Sequence, residues 1–255
     1  MALLSTNALT VAIGDQTICR SLSLEINAGE RWALLGRNGI GKTTLLHSMA
    51  GLRPAVSGAI TLQGETTGRL TSQQIAQRVG LLFQQQDDAF PSTVLETALI
   101  GRHPYLKPWQ WESERDQEKA RSALQQLQLE RLAERTTSTL SGGERQRLAI
   151  ATLLTQEPAL MLLDEPTNHL DIHHQIAVLN LLHQWSQQNE RALLMTLHDI
   201  NLALRYCNHA ILLLGNGEVV TGRSDEVLTS ANLERLYLHP LMRIEGEWGQ
   251  AYLPR

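Results

Sequence analysis

Cysteine is nearly missing. Cys19 and Cys207 are the two in 255 residues, too few for a disulfide framework or a thiolate metal cluster, and such scarcity suits a reducing cytosol. Surplus positive charge is missing as well. The chain carries 22 Lys+Arg against 26 Asp+Glu, a net charge of -4, which argues against a strongly basic nucleic-acid binder, so no nucleic-acid partner is expected. Long apolar runs are absent: Ala159 to Leu163 and Ile211 to Leu214 fall far short of the ~20 residues a bilayer helix needs. The opening MALLSTNALT has no basic stretch ahead of an apolar one, so no secretion signal is expected. There is no internal repeat and no low-complexity linker. What remains is ordinary for a folded chain, with 42% hydrophobic and 19% charged residues. The length suits one large α/β domain, or a core with a smaller insert.

The local patterns have an order. Leu9 to Ile13, Ile18 to Ile26 and Arg31 to Leu35 read as short strands broken by Gly14-Asp15 and Ala28-Gly29. Lys42 to Ala50 reads as a helix with Leu45, Leu46 and Met49 on one face and Gly51 just past its end. Ala59 to Leu62 and Val79 to Phe83 read as further strands. From Thr93 to about Leu154 the pattern is mostly helical, and the mixed-sign run from Glu112 to Arg121 reads as a solvated helix face with no function of its own. Leu160 to Leu163 has the signature of a buried parallel strand. A helix over Ile176 to Trp185, a strand over Ala192 to Thr196 and a helix over Asn201 to Tyr206 follow. Ile211–Leu214 and Glu218–Val220 flank Gly215-Asn216-Gly217, a hairpin signal. Alternating strands and helices at both ends, with helices between, predict an α/β core carrying a helical insertion.

Gly36-Arg37-Asn38-Gly39-Ile40-Gly41-Lys42-Thr43 fits G-x-x-x-x-G-K-S/T between a strand and a helix. The glycines let backbone N–H groups and the helix start wrap a phosphate. Lys42 would reach the β- and γ-phosphates, and Thr43 would offer its hydroxyl to Mg²⁺. An accidental match in a chain of this length is roughly a one-in-a-hundred event at average glycine content. A G-x-G-x-x-G dinucleotide loop fits worse, because Lys42, Thr43 and Thr44 follow Gly41 with no third glycine. Leu160-Met161-Leu162-Leu163-Asp164-Glu165 then sets two carboxylates at the C-terminal end of a buried strand, where open α/β sheets bind ligands. Neighbouring strand side chains point to opposite faces, so Asp164 can serve the Mg²⁺ shell while Glu165 faces an attacking water.

Leu140-Ser141-Gly142-Gly143-Glu144-Arg145-Gln146-Arg147 changes the weight of both motifs. Together the three stretches resemble ATP-binding cassette (ABC) ATPases, and the remaining family motifs follow in the family's order over about residues 7 to 225. Gln84, after Leu81-Leu82-Phe83, resembles the Q-loop glutamine. Asn168-His169-Leu170-Asp171 resembles the D-loop, and His198 the switch histidine. The resemblance implies an α/β fold: a P-loop NTPase (RecA-like) core with an N-terminal antiparallel β-subdomain and an inserted α-helical subdomain. The expected organisation is one nucleotide-binding domain over 1–255. Its core and β-subdomain occupy 1–84 and 158–225, a helical signature subdomain 85–157, and a C-terminal extension 226–255.

The resemblance also implies roles. ATP and Mg²⁺ are the cofactors. Gly36, Arg37, Asn38, Gly39, Ile40, Gly41, Lys42, Thr43 and Thr44 hold the phosphates, and Lys42 neutralises their charge. Thr43, Asp164 and Gln84 organise Mg²⁺, Glu165 polarises water, and His198 contacts the γ-phosphate and the region of Glu165. Ser141, Gly142, Gly143 and Glu144 open a second anion-facing helix start, which in the family serves the ATP of a partner subunit. Asp171 reaches across the same interface. A homodimer sandwiching ATP is therefore implied. The family commonly stacks adenine on an aromatic residue near the N-terminus. Ile13 occupies that position here, which predicts relaxed base preference and better competition by GTP. His169, His173 and His174 have i, i+4 and i+5 spacing but no completing carboxylate or cysteine, so surface or interface histidines are expected rather than a metal cluster. Trp109 and Trp111, beside Pro104 and Pro108, are expected to pack in the helical region near a permease contact.

Finer cues resemble the ATPase subunits of iron–siderophore, haem and cobalamin importers. They are Thr93-Val94-Leu95-Glu96, Gly101-Arg102-His103-Pro104-Tyr105, Thr167 to Asp171, and His198 to Tyr206. One cassette and no permease imply a peripheral subunit at the cytoplasmic face of a bacterial inner membrane. Its expected partners are two transmembrane permease subunits and, indirectly, a periplasmic or extracellular substrate-binding protein. About thirty residues after the nucleotide-binding part are too few for an added regulatory domain. The alternative is a soluble ABC ATPase driving assembly or remodelling, such as Fe–S cluster assembly; the Gly101-Arg102-His103-Pro104 region favours the transporter.

Overall fold

The computed structural model describes residues 1–83, 91–188, 190–246 and 249–255. Gln84 lies outside them. Strands β1 (Leu4–Ile13), β2 (Gln16–Ile26), β3 (Arg31–Gly36), β4 (Ser57–Leu62), β5 (Glu65–Thr66) and β6 (Val79–Leu82) come first, with helices α1 (Lys42–Met49) and α2 (Ser72–Ala76) among them. Helices α3 (Val94–Leu99), α4 (Glu114–Gln126) and α5 (Gly142–Gln156) follow. Then come β7 (Leu160–Leu163), α6 (Ile172–Gln187), β8 (Ala192–Thr196), α7 (Ile200–Tyr206), β9 (His209–Gly215) and β10 (Glu218–Arg223). The chain closes with α8 (Ser224–Val227), α9 (Ser230–Tyr237), β11 (Leu241–Gly246) and β12 (Gly249–Pro254).

Two sheets organise these elements. The order β2-β1-β4-β5 is antiparallel throughout, and the order β10-β9-β3-β8-β7-β6 is parallel from β9 to β6, with β10 an antiparallel edge. The parallel strands read as unbroken apolar runs because both faces are covered. Side-chain alternation divides them. Leu160, Leu162, Leu194, Ile211 and Leu213 join one cluster with α1 (Leu45, Leu46, Met49) and the antiparallel sheet (Leu4, Leu9, Ile26). Met161, Leu163, Leu193, Met195 and Leu212 join the other, with Ala149 and Ile150 of α5, Leu124 of α4, and Leu179 and Leu182 of α6. The expected fold class is the one found.

Local signals account for most helix starts. Thr93, Ser113 and Ser141 each cap a helix reciprocally with the acid three residues on, Glu96, Asp116 and Glu144. Most of the run from Glu112 to Arg121 faces solvent as expected, and Asp116 is an exception. Helix α4 begins at Glu114, and Asp116, on its first turn, accepts a 2.8 Å bond from buried Arg102, whose Nη1 also donates 3.1 Å to the Thr155 carbonyl. Burial works against the Asp116 charge, but bonds from Ser113 and Arg102 outweigh it and hold the carboxyl below its usual range. That pair ties α4 to α5. Trp109 and Trp111 also depart from expectation: they are 100% and 86% exposed, so neither packs within this chain. They sit between Pro104 and Ser113, whereas Tyr105 nearby stacks under the Arg102 guanidinium at 4.2 Å and donates its hydroxyl to the Gln77 carbonyl at 3.3 Å.

The residues after 225 have more structure than their pattern announces. The β11–β12 hairpin returns to α7, where Asn201 Oδ1 accepts from the Tyr252 N–H at 2.8 Å. Buried Tyr252 donates its hydroxyl to the Leu228 carbonyl at 2.7 Å. No helix among the described residues is long and apolar enough to cross a membrane.

Candidate functional site

The loop between β3 and α1 must turn sharply and bring backbone close to a ligand. Gly39 at φ 73° and Gly41 at φ 105° occupy the left-handed region, and a Cβ on Gly41 would lie 2.6 Å from the Ile18 side chain. Gly41 is also the N-cap of α1 and supplies no side-chain cap, so the first N–H groups of that helix stay available. Lys42 is buried, and its ammonium donates to the carbonyls of Gly36 at 2.8 Å and Arg37 at 3.3 Å. Burial lowers its pKa, opposed by the nearby Glu165 and Asp164 carboxylates.

A cavity of about 280 Å³ is lined by Asn38, Gly39, Gly41, Lys42, Thr43, Glu165 and His198. Of the other expected phosphate-loop residues, Gly36 closes its base through the bond to Lys42. Ile40 and Thr44 turn into the interior, and Arg37 faces solvent.

The acidic pair lies just beyond β7. Asp164 is almost fully buried; Oδ2 accepts from the Thr43 hydroxyl and Oδ1 from Thr196 Oγ1 at 2.8 Å. Glu165 leaves the strand at φ 52°. That left-handed step, as well as strand alternation, separates the two carboxylates. Every polar group of Glu165 has a partner. Its N–H donates to Thr196 Oγ1 at 2.7 Å, and its Oε1 lies 2.7 Å from His198 Nε2. Asn168 Nδ2 donates to its Oε2. Its carbonyl accepts from the Asn168 N–H at 3.1 Å and from Gln146 Nε2 at 3.2 Å. Thr196 is a functional candidate to which sequence reasoning gave no role, and Asn168 and Gln146, quoted there only within the D-loop and signature stretches, had no role of their own. Thr196, at the end of β8 two residues before His198, is the one a strand-end rule could have flagged.

A divalent cation fits this donor set. The Thr43 hydroxyl and the Asp164 carboxylate already touch, and Mg²⁺ typically takes one or two carboxylates plus phosphate oxygens. No group of three or more His, Cys, Asp or Glu side chains capable of holding a metal occurs among the described residues.

The second helix start lies apart from this cavity. Ser141 and Gly142 are exposed at the head of α5, and none of Ser141, Gly142, Gly143 and Glu144 lines the cavity. Glu144 accepts from the Ser141 N–H at 2.7 Å and from its hydroxyl at 2.8 Å, and these bonds hold its carboxyl below the usual range. A Cβ on Gly143 would sit 3.1 Å from the His169 carbonyl, so α5 starts close against the turn before α6. Asp171 is exposed and caps α6. It accepts from the His174 N–H at 2.8 Å and faces His174 Nδ1 at 2.9 Å, contacts that depress its pKa. His173 meets His174 edge-on at 5.3 Å. Ile13 ends β1 and is 40% exposed, beside the Gly14-Asp15 turn.

A second cavity, about 410 Å³, opens between α2, β6 and the helices α3 and α5. It is apolar, with Leu52, Ile75, Leu81, Phe83, Ile100 and Leu153 in its wall.

The family model described as "ABC transporter" matches residues 19–168. The ferric enterobactin transport ATP-binding protein FepC of Escherichia coli (strain K12) is 39% identical over 238 residues, 93% of this chain and 88% of that protein. A structure assigned to the metal-chelate type of ABC transporter, in an inward-facing conformation, superposes with a TM-score of 0.87 at 29% identity, covering 100% of this chain and 98% of that one. A dimeric ATP-binding cassette in a post-hydrolysis state with ADP and phosphate superposes with a TM-score of 0.75 at 26% identity, covering 87% and 98%.

Proposed function

The chain belongs to the ABC transporter family of ATPases, and from that premise we propose that it powers import of a metal chelate of the iron–siderophore class through a separate permease. It hydrolyses ATP, and hydrolysis is coupled to transport. The observation that carries the reading is the convergence of Lys42, Thr43, Glu165 and His198 on one small cavity at a helix start. FepC, which the chain matches over most of its length, supports the cargo class. No observation favours the assembly ATPase.

In this proposal the chemistry is positioning and charge stabilisation. The loop N–H groups and Lys42 neutralise the transferring phosphate. Glu165 orients and deprotonates the attacking water, and His198 holds its Oε1 while reaching the γ-phosphate. Mg²⁺, held by Thr43 and Asp164 (with Gln84, which lies outside the described residues), would neutralise charge on the β- and γ-phosphates when bound. Ser141, Gly142 and Gly143, together with Asp171, complete the site of a second copy, so ATP is sandwiched in a homodimer. The dimeric relative with ADP and phosphate supports that arrangement.

The organisation proposed is one nucleotide-binding domain with its helical part inserted between β6 and β7. The apolar cavity beside Phe83 receives a cytoplasmic segment of the permease, with Trp109 and Trp111 close by in sequence to its Ile100 and Pro104 wall. Attachment to the cytoplasmic face of the membrane then comes from protein contacts. Co-purification with a metal-chelate permease of the same organism, followed by ATP-dependent uptake of a radiolabelled ferric siderophore into liposomes, tests the reading. ATPase activity with no retained permease would refute the transporter assignment.

A further inference from the structure

Gln146 stands one turn into α5, beyond the residues that face a partner's nucleotide, and its side chain runs inward to its own chain's Glu165. Its Nε2 donates to the Glu165 carbonyl at 3.2 Å, the same oxygen that accepts from the Asn168 N–H at 3.1 Å. Glu165 is a non-glycine residue at φ 52°, a conformation that persists where surroundings over-determine it. Its surroundings are Thr196 on the N–H, Asn168 and Gln146 on the carbonyl, and His198 and the Asn168 side chain on the carboxylate. Only Gln146 among these comes from α5. The head of that helix also abuts the turn after Glu165, where a Cβ on Gly143 would come within 3.1 Å of the His169 carbonyl.

We infer that Gln146 is a positioning residue that ties the helix serving the partner's ATP to the general base of its own site. Resting on the dimeric reading above, this gives α5 two ends of influence. Its first turn senses nucleotide bound by the partner, and Gln146, one turn later, sets the backbone from which the Glu165 carboxylate projects. A shift of α5 on engaging the partner's nucleotide is thereby passed to Glu165 without any contact between the two nucleotides.

The test uses mixed dimers with separately tagged copies. One copy carries Glu165→Gln, so a single site turns over: the one built from the intact copy's Glu165 and the silenced copy's Ser141. Gln146→Met keeps side-chain length and removes the donor. Placed in the intact copy, it should lower kcat about tenfold with KM for ATP unchanged, the order expected when one hydrogen bond orienting a catalytic group is lost. Placed in the silenced copy, it should change turnover less than about twofold. Gln146→Glu, which turns an acceptor toward the same carbonyl, should show the same placement dependence and covers a failure of the Met variant to fold. Equal loss in both placements, loss in the silenced copy alone, or no loss would overturn the inference. Ser141→Arg is the control for the dimeric reading. It should act from the silenced copy, and its indifference to placement would sink the shared site itself rather than the role of Gln146.

Discussion

Thr196→Val removes one oxygen and keeps the shape of the side chain. That oxygen is fully buried and serves two groups at once, donating to Asp164 Oδ1 at 2.8 Å and accepting from the Glu165 N–H at 2.7 Å. Without it, a buried carboxylate loses one of its donors and a partly buried N–H has no acceptor. Each such orphan costs about 1–2 kcal/mol, so the variant should be about 2–4 kcal/mol less stable. For a chain of this size that corresponds to a fall in Tm of about 5–15 °C. Turnover should fall further than stability implies, because Asp164 and Glu165 both lose the group that sets their relative position. Thr196→Ser keeps the hydroxyl and should recover most of the activity, losing only a methyl contact. The assay is thermal unfolding by circular dichroism alongside steady-state ATP hydrolysis at saturating nucleotide. A Val variant within about 0.5 kcal/mol of the parent and with full turnover would refute the bridging role. So would a Ser variant as impaired as the Val one, since that would make the methyl group the reason.

Glu165→Gln should retain ATP binding and slow hydrolysis roughly 10²–10⁴-fold if the carboxylate is the general base. It should also accumulate an ATP-bound dimer, and a monomer by light scattering at saturating ATP would count against the shared site. Ile13→Tyr should strengthen adenine binding by roughly 0.5–1.5 kcal/mol through ring stacking and reduce competition by GTP; unchanged competition would remove Ile13 from the nucleotide site. Asp116→Asn breaks a largely buried pair and should cost about 1–3 kcal/mol at neutral pH. Because the Asp116 pKa is depressed on folding, its contribution is present above the usual Asp pKa and is lost as pH falls through the folded value. The gap in Tm between parent and variant should therefore close on acidification, and a constant gap would contradict the assignment. Trp109→Ser with Trp111→Ser should leave stability within about 0.5 kcal/mol, since both rings are exposed. The pair should weaken retention of the permease; unaltered retention would remove these rings from the docking surface.

Much of the fold was legible because it is written in short-range terms. β7 and β8 are found at their expected bounds, since a run of Leu and Met closed by turn residues has one economical reading in a covered sheet. The start of α5 follows from Ser141 and Glu144, three residues apart, and the hairpin at Gly215-Asn216-Gly217 from its own turn chemistry. The last hairpin was not legible, because Leu241 and Tyr252 are the only well-buried side chains described in β11 and β12 and no alternation marks the strands. Nor was the pairing of Asp116 with Arg102, which depends on how α4 lies against the turn before it.

Sequence by itself determined the parts whose physics is local: the glycine-rich loop, Lys42 at a helix start, two acids at the end of a buried strand, and a second capped helix with a Gly-Gly entry. Tertiary structure alone decided what those parts touch. Thr43 meets Asp164 across 121 residues of chain, and His198 meets Glu165 across 33. Thr196 and Gln146 became visible only as the atoms that complete Glu165. The reason is physical. Capping, turn geometry and side-chain alternation act over a few residues, whereas a buried polar atom takes whichever partner the packing of distant elements brings within 3 Å.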